Sequence, residues 1–155
     1  MKGLPEHLLK ILVEEAQLSI FGAGSVLIRD NDAADIVYML VMGQVEIKQQ
    51  LTEDVDVIFA LVQSGATFGV PALLEGQLSS YTAVCQEPCE VITISGQRLR
   101  ELFETNHELA YYMFIGAANQ YKNNMHRRAQ MVMKVVDQNP ELKETLDIEI
   151  ETMSI

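Results

Sequence analysis

The chain has 155 residues, 48% hydrophobic and 21% charged, ordinary values for one globular domain able to bury its own core. With 22 acidic against 11 basic residues its net charge is −11, a field that repels polyanions, so long nucleic acid is not expected as a direct partner. No run approaches the roughly 18 apolar residues a membrane span needs, and Glu6, Glu14 and Glu15 break the stretch where a secretory signal needs an unbroken apolar segment; no membrane contact and a cytoplasmic location are the expectation.

Leu4–Gln17 opens the chain with apolar residues at Leu8, Leu9, Ile11, Leu12, Val13 and Ala16 behind Pro5, the pattern of a short helix with proline in its first turn. From Leu18 to Ile94 the composition shifts to Val, Ile, Thr, Phe and Tyr. Turn residues recur there at Gly22–Gly24, Asp30–Asp32, Gly43, Thr52–Asp54, Ser64–Gly65 and Glu87–Pro88. Short strands at that spacing predict a mainly β domain, an antiparallel sandwich, barrel or jelly roll. Val70–Leu74, with Pro71 at its start and Gly76 after it, interrupts the β pattern as a helical turn or two. Ser95–Glu104 reads as a helix capped by Ser95, with Leu99, Leu102 and Phe103 on one face.

A longer helix is expected over about 106–137. Its stripe of Tyr111, Phe114, Ala118, Tyr121, Met125, Arg128, Val132 and Val135 alternates steps of three and four, the spacing of a coiled-coil seam. The half up to about Tyr121 is expected to pack inward. The second half looks too long for one small barrel to cover and suggests a homodimer through this helix. Residues 1–137 thus form one domain, and 138–155 an acidic tail in which Leu146, Ile148 and Ile150 alternate with charges: a short strand or a solvated end.

Cys85 and Cys89 flank Gln-Glu-Pro. If that link is a hairpin turn the thiols face each other on adjacent strands, but two small strand residues in a reduced cytosol is the plainer reading. His107 and His126 have no companions at metal-ligand spacing, and no Ser/His/Asp, Cys/His or paired-carboxylate arrangement points to an enzyme or a resident cofactor.

The motif Phe21-Gly-Ala-Gly24, Asn31-Asp32, Tyr38 and Gly43-Gln-Val45, followed by Gly65-Ala-Thr-Phe68-Gly69, resembles the cyclic nucleotide-binding domain family over about residues 8–128. Asn31 stands where that family usually has glycine, a mild departure because Asn tolerates positive φ. The resemblance implies a regulatory sensor whose short embedded helix presents N–H groups to a cyclic phosphate. A Glu after Phe-Gly would take the ribose hydroxyl, and a later Arg would pair with the phosphate. Here the Glu position falls on Val70 and the Arg position on Ser79, followed by Ser80, and Gln49–Gln97 contains no Lys, Arg or His. Hydrogen bonds to charged groups contribute about 1.5–3 kcal/mol each, so losing both anchors costs on the order of a hundredfold in affinity or more.

The ligand-contacting cassette implied by the resemblance comprises Phe68, Gly69, Val70, Ala72, Leu73, Ser79, Ser80 and Thr82, with Asn123 and Asn124 on the long helix as possible base contacts. Cations that could stand in are Arg29, for which an ion pair with Asp30 or Asp32 is the plainer reading, and Arg127 or Arg128. Two functions fit: a small-molecule sensor with weak or altered nucleotide binding, or a ligand-free dimerisation module in which Val70 and Tyr81 fill the old pocket. The family's transcription factors carry a DNA-binding domain of roughly 60–80 residues after the long helix; whether this chain stands alone or is part of such a regulator is left open by the sequence.

Overall fold

The computed structural model describes residues 3–141, so the tail with Leu146, Ile148 and Ile150 lies outside the described residues. Helix α1, Glu6–Glu15, starts directly after Pro5, whose φ of −58° suits a helix entry, and buries Leu8 and Leu12 one turn apart. Eight strands follow: β1 (Gln17–Phe21), β2 (Val26–Ile28), β3 (Ile36–Met42), β4 (Val45–Thr52), β5 (Val55–Val62), β6 (Thr67–Phe68), β7 (Thr82–Cys85) and β8 (Cys89–Ser95). They form two antiparallel four-stranded sheets, ordered β1-β8-β3-β6 and β2-β7-β4-β5, the expected jelly-roll sandwich. A four-residue 3-10 turn, Val70–Leu73, sits between β6 and β7. Asn31 adopts φ 68°, as expected of an asparagine replacing a turn glycine.

Two short polar caps organise the carboxyl-terminal helices. Ser95 Oγ accepts the Arg98 N–H and opens α2, Gly96–Thr105. Asn106 ends α2 and begins α3, His107–Gln138, accepting the Leu109 N–H on its side chain at 2.9 Å. No linker separates the two helices. None of the helices among the described residues is long and apolar enough to cross a membrane.

The core divides in two. Leu40, Val45, Ile47, Phe59, Phe68, Tyr81, Ala83 and Val91 fill the space between the sheets. Leu8, Leu12, Val37, Ile94, Leu99, Phe103, Leu109, Met113 and Ala117 join the helices to one end of the barrel, together with Val70, Ala72 and Leu73 of the 3-10 turn. The segment between β6 and β7 therefore sends Phe68 and Tyr81 into one core and Val70–Leu73 into the other.

The long helix differs from expectation in which face it buries. Leu109, Met113 and Ala117 point inward in its first half, whereas Tyr111 and Tyr121 are 63% and 42% exposed. Its second half does not stand clear of the barrel: it leans on β5, Met131 packs against the inter-sheet core and Val136 is buried. The reason is composition. The buried face continues through Gln120 and Asn124, polar residues that hydrophobic periodicity does not register, and meets the expected stripe again at Arg128.

Helix α2 touches the 3-10 turn through a glycine and an arginine. Arg100 Nη1 donates to the Ala72 carbonyl at 2.7 Å, and a Cβ on Gly96 would lie 2.2 Å from the same oxygen. Gly96→Ala should therefore lower stability by about 2 kcal/mol, roughly 4–8 °C in Tm, in a calorimetric scan. Gly116→Ala, where a Cβ meets nothing within 4 Å on α3, should instead gain up to about 1 kcal/mol.

Candidate functional site

The segment 67–82 is the site that the sequence singled out. Gly69 holds φ 79°, and a Cβ there would lie 2.6 Å from the Ile36 carbonyl oxygen, so glycine is required twice over. The turn that follows is fully committed to packing: Phe68, Val70, Ala72 and Leu73 are all buried. Few donors remain at its start for a ligand. The Gly69 N–H donates to the Tyr81 hydroxyl at 2.7 Å, Pro71 has no N–H, and the Ala72 N–H returns to the Gly69 carbonyl at 3.2 Å.

The second arm, Ser79–Thr82, is stitched to the β2–β3 loop. The Ser79 N–H donates to the Asp32 carbonyl and the Asn31 N–H to the Ser79 carbonyl, both at 2.8 Å. Thr82 Oγ1 accepts the Asp30 N–H at 3.2 Å. Thr82 thus serves the loop. Ser79 is buried and borders a cleft of about 280 Å³ shared with Arg29, Asp32, Asp35, Tyr38 and Gly69. That volume falls just under the roughly 300–1,000 Å³ usual for small-molecule sites.

A cation from α3 meets the second arm of the cassette. Arg128 Nη2 donates to the Ser80 carbonyl at 3.0 Å and lies 3.4 Å from Ser80 Oγ, while its guanidinium carbon sits 4.9 Å from the centre of the Phe59 ring. Phe59 reaches that position through a bulge: the β4–β5 ladder steps from Ile47↔Ala60 to Lys48↔Ile58, leaving Phe59 as the extra residue. The contacts on the ring and on the carbonyl contribute about 0.5–2 and 1.5–3 kcal/mol before the cost of desolvating the charge. Arg128 has no carboxylate partner among the described residues, and its Nε is buried without a hydrogen-bond acceptor.

Two turns earlier, Gln120 Nε2 donates to the Thr67 carbonyl on the first arm. Gln120 and Arg128, about 12 Å apart along the helix axis, thus straddle the cassette. The Asn124 side chain lies half-buried between them with no side-chain hydrogen bond among the described residues; Asn123 and Arg127 face solvent. Of the two asparagines, only Asn124 lies on the face turned toward the barrel.

Tyr81 fills the space beneath. It is 5% exposed and meets Phe59 edge-on, with ring centres 6.3 Å apart. Burial pushes its phenol up to about 12, partly opposed by the Gly69 N–H that it accepts. The sequence named Tyr81 as a filler, but nothing in it signalled the hydrogen bond to Gly69. The cysteines are both buried and reduced; the Gln86–Pro88 link carries the chain from one sheet to the other and is no hairpin within a sheet. Burial and the neighbouring Cys89 thiol push Cys85 well up, away from thiolate reactivity. No group of three His, Cys, Asp or Glu able to hold a metal occurs among the described residues.

A sequence model described as the cyclic nucleotide-binding domain matches residues 19–106. The chain is 28% identical over 100 residues to the cAMP-activated global transcriptional regulator CRP of Pasteurella multocida, covering 64% of this chain and 48% of that protein. It is 29% identical over 105 residues to the global nitrogen regulator of Synechococcus elongatus, covering 66% and 47%. The chain thus spans about half the length of these curated relatives. A solved cyclic nucleotide-binding domain from Methylobacillus flagellatus superposes with a TM-score of 0.74 at 17% identity, covering 86% of this chain and 76% of that one, a likeness of fold.

The buried phenol gives a pH signature. The folded protein holds the Tyr81 proton up to about pH 12, whereas the unfolded chain releases it near 10, so stability present below pH 10 is lost as the pH rises toward 12. In a 295-nm titration the last phenolate should appear together with unfolding. Tyr81→Phe should remove that late step and cost about 1–3 kcal/mol at neutral pH, because the Gly69 N–H is left buried without an acceptor.

Proposed function

The chain belongs to the cyclic nucleotide-binding domain family, and on that premise we propose that it is a regulatory module that binds cyclic nucleotide weakly or not at all and works through its long helix. The observation that carries the reading is the Gly69 N–H held by the Tyr81 hydroxyl: a donor suited to an exocyclic phosphate oxygen is already satisfied by a buried side chain. Val70 and Ser79 reinforce it, since neither supplies the carboxylate or the cation that a sugar-phosphate needs. The acidic net charge of −11 also opposes direct binding of duplex DNA by these residues.

A second reading, a sensor for a small polar molecule other than a cyclic nucleotide, draws support from the cleft bordered by Arg29, Asp32, Asp35 and Ser79. Calorimetry separates the two: titration with cAMP or cGMP should give no heat of micromolar binding, while a screen of small polar molecules tests the cleft. The double change Val70→Glu with Ser79→Arg, which restores the polar anchors, should give no gain in nucleotide affinity while the Gly69 N–H stays committed to Tyr81. Micromolar binding by the unchanged protein would overturn the reading.

Homodimerisation belongs to the same proposal. Tyr111, Phe114, Ala118, Tyr121 and Met125 form an exposed row at steps of three and four on α3, with Met125 70% exposed. Sedimentation at low micromolar concentration should show a dimer, and Tyr121→Glu with Met125→Glu should convert it to monomer.

A further inference from the structure

We propose that Gln120 and Arg128 form a latch: the long helix is held shut over the two arms of the cassette by its own side chains, beside the cleft at Ser79. This rests on the reading of the domain as ligand-independent and gives that reading a mechanism. The geometry is bilateral. Gln120 takes the Thr67 carbonyl on the arm before the 3-10 turn, and Arg128 takes the Ser80 carbonyl on the arm after it. Both acceptors belong to the segment whose partner would otherwise be a bound molecule, and both donors lie on one helix face.

The Arg128 guanidinium has the chemical features of a clasp between helix and second arm. It is a flat, delocalised cation lying against an aromatic ring, here Phe59, and hydrogen-bonded along its edge to Ser80. With that group in place, the two arms and the helix are held together by one molecule's covalent continuity instead of by a ligand in solution. The helix position then no longer varies with ligand concentration. Entry of any ligand between helix and cassette has to displace Arg128 first, so its apparent affinity falls by the fraction of time the latch is open.

Native-state hydrogen exchange on the full chain tests this, comparing the unchanged protein with Arg128→Met, which keeps an apolar stem on Phe59, and with Gln120→Ala. Arg128→Met should speed exchange of the α3 amides beyond Tyr121 by roughly ten- to a hundredfold while the β3, β4 and β8 amides keep their protection. Gln120→Ala should do the same to a smaller degree. In the unchanged protein, millimolar cAMP should leave the pattern unaltered. Wild-type protection retained in Arg128→Met overturns the latch, and so does a rise shared by the whole barrel, which would make Arg128 an ordinary packing residue. Micromolar cAMP binding by the unchanged protein would sink the functional reading instead, an outcome read by calorimetry and separate from the exchange result.

Discussion

A backbone N–H buried away from water must find an acceptor, and at Gly69 that acceptor is a tyrosine hydroxyl. Much of the site's arrangement follows from this bond. It draws the second arm of the cassette against the first, because Tyr81 cannot reach Gly69 unless Ser79 and Ser80 lie alongside the β2–β3 loop. It places an aromatic ring in the space between the sheets, where Phe59 meets it edge-on. It also fixes the entry to the 3-10 turn, so that Val70, Ala72 and Leu73 dock into the helical core. In this chain the Gly69 N–H at the start of the cassette is satisfied from within.

The latch contacts are more finely balanced. A guanidinium without a carboxylate partner is expensive to desolvate, and an orphaned Nε adds to that cost. The Phe59 face and the Ser80 oxygens offset it, with the apolar stem of the side chain adding packing. The net is smaller than the sum of those contacts. Arg128 therefore suits the role of a reversible contact better than that of a structural anchor, in contrast to Tyr81, whose neutral hydroxyl carries no such desolvation cost.

Much of the architecture was legible in the sequence because local signals and tertiary demands agree there. Ser95 is a strong cap, the β region is punctuated by turn residues, and Asn31 occupies a left-handed position that its side chain tolerates. That Val70 and Ser79 stand where the family resemblance implies Glu and Arg could also be read from the sequence. The orientation of α3 could not. A stripe of Tyr111, Phe114, Tyr121, Met125 and Arg128 looks like a buried face, but of these only Arg128 lies on the buried side, which runs through Gln120 and Asn124 and meets cassette carbonyls at Thr67 and Ser80. Periodicity finds apolar contacts; a helix docked partly on polar backbone escapes it. The bulge that re-aims Phe59 is equally silent, since one extra residue in a strand leaves no mark on composition.

Asn106 has a mechanical consequence. Because this one residue closes α2 and opens α3, the two helices behave as a bent rod with no slack at the elbow. One limb is seated on the 3-10 turn through Gly96 and Arg100, the other on the two arms through Gln120 and Arg128. The cassette and the rod thus form a closed kinematic ring. In such a ring no joint turns without the others, so a tilt of α3 at Gln120 and Arg128 would have to be taken up at the Asn106 elbow or at the Ala72 carbonyl.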